Sequence, residues 1–385
     1  MRPPDGFVVR EYGERGVIWL RETLQAGPRR LGATAVVRHQ TWVSAAVAAG
    51  NGGLMVASGG TAVRPTLWGR LGGVVAPLAF LLVLVVVLGL AARGEGFLSR
   101  ANWRTIVQST AVVAILAIGE TVVIIAGHID LSVGRVLALS GVTAAAGMVF
   151  HGTGTAGGLA LACASGAACG LANGLLTTFG RMPSFIATLG MMGVANGLAL
   201  LVAGDANISG VAPGFEALSM GELLGTPARE GLPYPLLLMA FAAVAVHLLL
   251  ARTAWGRHVY AIGGNMDAAR LSGVALRRVT ISVFVLSGLL SGFAAVLHVA
   301  RTGGAQPTAG AGLELQAIAA TVIGGTSLSG GSGGVVGTLI GAFLMAIIQN
   351  GCDLKGVHPH FQLIIIGSVI WLAALYDGVR RRQGR

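Results

Sequence analysis

Long apolar runs alternate with short polar links along most of this chain. The runs fall at residues 72–92, 105–126, 136–150, 157–179, 185–203, 233–251, 279–300, 313–325, 335–350 and 361–376. Several approach the ~20 consecutive apolar residues that carry a helix across a bilayer. The pattern therefore predicts eight or nine long membrane spans, and a glycine-rich break at 324–334 leaves room for a tenth. Two further interruptions carry information. GHIDLSVG at 127–134 sets His128 and Asp130 between two apolar helices, and RTAWGRHVYAIGGNMDAARLSGVALRR at 252–278 places five arginines between two others. Five arginines cannot lie in hydrocarbon, so this second segment is a structured loop at the membrane surface. The expected fold class is all-α: a polytopic transmembrane helical bundle with broken or re-entrant helices.

Composition agrees. Of 385 residues, 54% are hydrophobic and only 11% charged, with a mean hydropathy of +0.77, too little charge to cover a soluble protein of this size. The 61 glycines and 6% aromatics suit helices that approach closely through small residues. A net charge of +11 would point to nucleic acid in a soluble chain. Here the basic residues cluster at the ends of apolar runs, so the charge reports membrane topology and no nucleic-acid partner is expected. Cys163, Cys169 and Cys352 lack metal-ligand spacing and lie in or beside apolar runs, as packing residues do; no metal site is expected.

The arginines also give an orientation. The 252–278 loop has five and the tail GVRRRQGR has four, whereas the 204–230 link has only Arg229, among Asp205, Glu216, Glu222 and Glu230. The positive-inside bias puts the loop and the C terminus in the cytoplasm and the link outside. Arg64 and Arg70, ahead of the first span, place the N terminus inside as well, which demands an even number of crossings. Residues 1–70 hold nine arginines and four acids, with no signal-peptide pattern. They read as a cytoplasmic extension, or as translated sequence upstream of the true start. Residues 71–380 form the transmembrane domain, including the 252–278 loop, and 381–385 a basic cytoplasmic tail.

Few polar groups fall inside the apolar sequence. Asp130 at membrane depth must be paired or face water; Asp130 or Ser132 can cap the helix that begins near Val133, and either can also touch a solute. Glu120 lies within a span, with Thr110 and Thr121 nearby, and reads as a proton relay, a packing hydrogen bonder or a path-lining group. Glu314 follows a glycine-rich stretch and suits a helix start. Asn173 and Asn196 sit beside glycines in apolar runs, where interhelical hydrogen bonds are expected. IGGTSLSGGSGGVVG at 323–337 lacks the lysine of a phosphate-binding loop; its glycines permit a broken helix, with Thr326, Ser327 and Ser329 offering hydroxyls. Glu120, Asp130, Ser132, Asn173, Thr326 and Ser327 are the candidate translocation-path or structural polar residues. No hydrolase triad, paired acid and base, or ATP-hydrolysing domain is evident, so no enzyme activity is expected. Driving energy then comes from another polypeptide or an ion gradient.

GHIDLSVG at 127–134, TAWGRHVYAIGGNMDAARLSGV at 253–274 and IAATVIGGTSLSGGSGGVVGTLIGA at 318–342 stand in this order along the chain. Over about 72–380 the sequence resembles the permease subunit of bacterial ABC importers for monosaccharides such as ribose, xylose and galactose. The resemblance implies that Asp267, Ala268, Ala269 and Gly273, with Arg270 among them, couple the permease to an ABC ATPase subunit on the cytoplasmic side. Asp267 replaces the Glu of the usual EAA-type pattern. The resemblance also implies a second permease copy or a related permease, an extracytoplasmic sugar-binding protein, and surrounding lipids of the bacterial cytoplasmic membrane. ATP and Mg would bind the ATPase, with no cofactor in this chain. The chain departs from the family in its long front and in His128, which has no assigned role. Two other readings stand beside this one: a permease of the same class for another small polar solute, and an ion-coupled secondary transporter that needs no ATPase.

Overall fold

The computed structural model describes residues 7–11, 17–22, 33–37, 41–45, 47–50, 53–56, 67–225 and 231–383. Arg64, Arg229, Glu230 and Arg385, used above for orientation, lie outside the described residues, as does much of the 1–70 extension. The chain divides into two compact units, residues 1–66 and 67–385.

The first unit carries strands where periodicity predicted no element. β1 (Phe7–Glu11), β2 (Val17–Glu22), β3 (Ala33–Val37) and β4 (Thr41–Ala45) form an antiparallel sheet in sequence order, with Phe7 opposite Arg21, Trp19 opposite Val36 and Val36 opposite Trp42. β5 (Val47–Gly50) and β6 (Gly53–Val56) pair separately. The Val, Ile, Thr and Trp content of these segments favours strands.

The second unit is helical apart from two-residue strands. In order it holds α1 (Leu67–Ala91), α2 (Arg100–Ile125), α3 (Val133–His151), α4 (Gly154–Thr178), α5 (Ser184–Ala203), β7 (Ile208–Ser209), α6 (Pro213–Met220), β8 (Glu222–Leu223) and β9 (Leu232–Pro233). α7 (Tyr234–Arg252), α8 (Ala254–Gly264), α9 (Met266–Leu271), α10 (Leu276–Thr302), β10 (Gly304–Ala305), α11 (Leu313–Ile323), α12 (Val335–Leu354) and α13 (Pro359–Gln383) follow. Each predicted apolar run lies on a helix. Among the described residues α2, α3, α4, α5, α7, α10 and α12 are long and apolar enough to cross a membrane, and α1, α11 and α13 hold shorter apolar stretches. This is a multi-pass membrane protein.

The helix ends gather at two poles. At one, the Gly331 amide donates to the Ile125 carbonyl at the end of α2, and Arg277 of α10 lies over the Phe179 ring at the end of α4. Arg181, Arg252, Arg257, Arg270 and Arg278 sit in the same turns and helix ends, making this the arginine pole. At the other, Arg104 pairs with Glu222, Lys355 pairs with Glu95 at 3.0 Å, and β10 pairs with β7, Gly304 opposite Ser209.

α2 is the central helix. It is buried continuously from Thr110 to Ile125, as expected of a helix apolar on every side. α4 and α10 meet along a small-residue seam: a side chain at Gly166 would collide with the Gly288 carbonyl, and one at Gly170 with the Phe284 carbonyl. Such contact lets backbones approach where lipid offers no hydrophobic driving force. Near the second pole the Asn102 and Asn350 amides exchange hydrogen bonds of 2.9 and 2.8 Å, fastening α2 to α12. Asn350→Ala is expected to remove about 1 kcal/mol of stability, read as a lower Tm of the detergent-purified protein. An unchanged Tm would show that the reciprocal pair contributes nothing.

Candidate functional site

The segment between α2 and α3 does not simply turn at the surface. The Asp130 amide donates to Glu120 Oε1 at 3.2 Å, although Glu120 lies more than a turn before the end of α2, so the chain folds back into the bundle. Asp130 Oδ1 accepts from the Ser132 amide at 2.9 Å and the Ser132 hydroxyl at 2.6 Å, and Oδ2 accepts from Ser287 of α10 at 3.1 Å. Asn173 of α4 donates to Ser132 Oγ at 2.9 Å. Glu120, Asp130, Ser132 and Asn173 are thus brought into one network, and each is buried. Ser132 occupies the N-cap position of α3 without a side-chain cap bond; its hydroxyl serves Asp130 instead. Thr188 of α5 accepts from the Leu131 amide at 3.1 Å, and Ser184 accepts from the Ile129 amide at 3.3 Å. Glycine on one side and these hydroxyls on the other let a polar break exist inside an apolar bundle, because its backbone groups find protein partners.

Thr326 and Ser327 lie apart from this network, in the break between α11 and α12. Thr326 is buried, with its hydroxyl packed beneath Gly333. The break is bound to α2 from both ends. Thr121 Oγ1 lies 2.6 Å from Thr338 Oγ1, and Thr321 Oγ1 donates to the Ala117 carbonyl at 3.1 Å.

The 252–278 loop is two helices, and it joins the two breaks. A Cβ at Gly263, near the end of α8, would collide with the Ile125 carbonyl and stand 2.6 Å from the Gly331 amide. Gly127 and Gly330 complete this all-glycine junction: a Cβ at Gly330 would stand 3.0 Å from the Cα atoms of both Gly127 and Gly263. Tyr260 of α8 donates to the Gly333 carbonyl at 2.9 Å; burial pushes its phenol pKa up, which keeps the proton for this bond. The stretches 127–134, 253–274 and 318–342, far apart in sequence, therefore meet backbone to backbone.

α9 projects from this junction. Asn265 caps it, accepting from the Ala268 amide at 2.9 Å, so it is a separate rigid unit. Ala269 is buried beneath it, while Asp267 and Arg270 are exposed and face one another at 3.6 Å. Gly273 follows at φ +81°, with open space where a Cβ would stand. A cavity of about 1140 Å³ opens beside α9, with Arg181, Arg270, Arg277 and Arg278 on its wall and His128 and Ser184 among its lining. Among the described residues no group of three or more His, Cys, Asp or Glu is placed to hold a metal.

Sequence reasoning missed Asn265, Ser287 and Thr188. Asn265 was readable, since an Asn before a short Ala-rich stretch is a cap signal. Ser287 and Thr188 reach the site only through the tertiary fold.

Two buried helix breaks of a multi-pass bundle thus meet on α8, with the capped α9 following it at the surface, and the class of protein is a membrane permease. The chain belongs to the family described as branched-chain amino acid transport system / permease component, which matches residues 102–374. It is 42% identical to the ribose import permease protein RbsC of Escherichia coli (strain K12), over 79% of this chain and 93% of the relative. It is 36% identical to the L-arabinose ABC transporter permease protein AraH of Azospirillum brasilense (79% and 87% covered) and 32% identical to the xylose transport system permease protein XylH of Escherichia coli (strain K12) (74% and 87% covered). No solved structure matches the chain.

Proposed function

We propose that this chain is the permease subunit of an ATP-driven, binding-protein-dependent ABC importer for a monosaccharide in the bacterial inner membrane. The observation that carries the reading is the capped, exposed α9, resting through α8 on both helix breaks at the all-glycine junction. The curated relatives, named for ribose, L-arabinose and xylose, give the solute class. ATP and Mg bind a separate ATPase chain, whose closure pushes α9 and, through it, α8, shifting the two breaks together. The positive-inside bias places the arginine pole in the cytoplasm. The pole with Asp205, Glu216 and Glu222 then faces outward, toward a sugar-binding protein. A second copy or a related permease completes the path.

The test is co-purification from native membranes in mild detergent, with Gly273→Leu as the comparison. Gly273 is left-handed, so a side chain there adds roughly 1–2 kcal/mol of local strain, while open space around it spares the bundle. The expected result is a stoichiometric ATPase with the parent chain, reduced about fivefold or more in the variant at equal membrane insertion. Consistent absence of an ATPase from the parent complex would favour an ion-coupled carrier.

A further inference from the structure

The segment between α10 and α11 brings two charged side chains to the middle of the bundle. α11 has 11 residues, a rise of about 16 Å, roughly half of a ~30 Å hydrocarbon core. Its end joins the break at the arginine pole, where Gly331 bonds Ile125. Its first turn, which carries Glu314, therefore lies near mid-depth. The chain reaches that point from the β7–β10 pair at the opposite pole without forming a helix across 306–312.

At mid-depth Gly310 packs against Gly134 in the first turn of α3, with no room for a side chain at either position. The adjacent Arg135 donates from Nη1 to the Thr308 carbonyl at 3.2 Å. Glu314 Oε1 accepts from the Gly312 amide at 3.2 Å. Glu314 Oε2 is buried against Gly134, just beneath this face, and has no hydrogen-bond partner among the described residues. Arg135 and Glu314 thus flank one glycine contact without pairing to each other, and each keeps unused hydrogen-bonding capacity. Gln306, Thr308, Ala311 and Leu315 of the same segment are exposed.

This face cannot border hydrocarbon. An arginine and a glutamate near the midplane are strongly unfavourable there, and so is non-helical backbone exposed to lipid. It must border water or another polar surface. A guanidinium with spare N–H donors at the face, and an unpaired carboxylate oxygen directly beneath it that a small shift of the Gly134–Gly310 contact would uncover, together match the donor and acceptor groups of an uncharged polyol.

We propose that Arg135 and Glu314 form a mid-membrane contact for the sugar's hydroxyl groups on the wall of the translocation path. This rests on the monosaccharide reading above. The test measures uptake of radiolabelled ribose, L-arabinose and xylose in cells expressing the whole transporter with Arg135→Gln or Glu314→Gln. In parallel, the Leu315→Cys variant is probed with a membrane-impermeant thiol reagent against the parent chain.

The expected result is that both Gln variants still assemble, uptake falls by about tenfold, and the uptake ratio between two pentoses shifts by about threefold. The Leu315→Cys variant is labelled, and sugar protects it. Parent-like uptake and ratios in both Gln variants would overturn the contact, as would no labelling of Leu315→Cys. Loss of the assembled complex in both Gln variants, with no labelling, would assign the pair to packing instead. A parent transporter that takes up leucine and none of the sugars would overturn the monosaccharide reading itself, and the labelling result would still report whether this face is wet.

Discussion

Gly263→Ala is expected to reduce uptake by about ten- to a hundredfold while the ATPase still docks. The added methyl would overlap the Ile125 carbonyl oxygen and stand 2.9 Å from its carbon and 2.6 Å from the Gly331 amide. All of these are backbone atoms, so no side-chain rotation relieves the contact. α8 must move off α2, and the Gly331 to Ile125 hydrogen bond is pulled with it. Overpacking of this kind costs about 1–3 kcal/mol, which sets the size of the effect. α9 keeps its own Asn265 cap and exposed surface, so docking survives. Gly264→Ala is the matched control, because nothing stands within 4 Å of a Cβ there. Uptake assays on both variants decide the matter: equal, near-normal rates would show that the glycine junction transmits nothing.

The second large effect is on folding. Asp130→Ala removes the acceptor for two donors of Ser132 and for the Ser287 hydroxyl. In a site only 1% exposed, water does not replace it. Three unmet donors at about 1–3 kcal/mol each predict a loss of roughly 3–9 kcal/mol, seen as a Tm lower by about 10 °C or more, or as failure to accumulate. Asp130→Asn keeps one carbonyl oxygen for Ser132, and the Ser287 hydroxyl can turn to accept from the new amide. It should cost only about 1 kcal/mol. If the Ala and Asn variants melt alike, the hydrogen bonds are not what holds the break.

Much of this architecture was legible in the residues. Length and hydropathy located every long helix of the bundle, because crossing a bilayer demands long apolar runs wherever they fall; the short α6, α8 and α9 lie in segments read as polar links or a loop. The glycine-flanked Asp130 marked a break for a similar reason: a carboxylate at that depth requires local partners. The partners themselves were not legible. Glu120 and Asn173 were candidates for separate local reasons, and only the return of residues 128–132 into the bundle makes them neighbours. Thr326 and Ser327, grouped with them by polarity, belong to the other break. Arg135 stood at the edge of an apolar run, and its importance depends on Gly310 arriving at Gly134 from the far side of the chain. The strands β1–β6 were missed because short alternation in an Arg- and Gly-rich stretch is a weak signal.

The half-crossing made by 304–323 also constrains how the protein is made. A helix rising only about 16 Å cannot partition from the translocon as a complete span, and the non-helical residues before it leave backbone groups that only protein can satisfy. Its partners in α2 and α3 are synthesised first, and α12, which returns beside it, and α13 follow. α11 is therefore expected to settle only once α2 and α3 are in the membrane, as α12 crosses beside it. Residues 304–323 are held by the protein around them, with lipid supplying only the boundary.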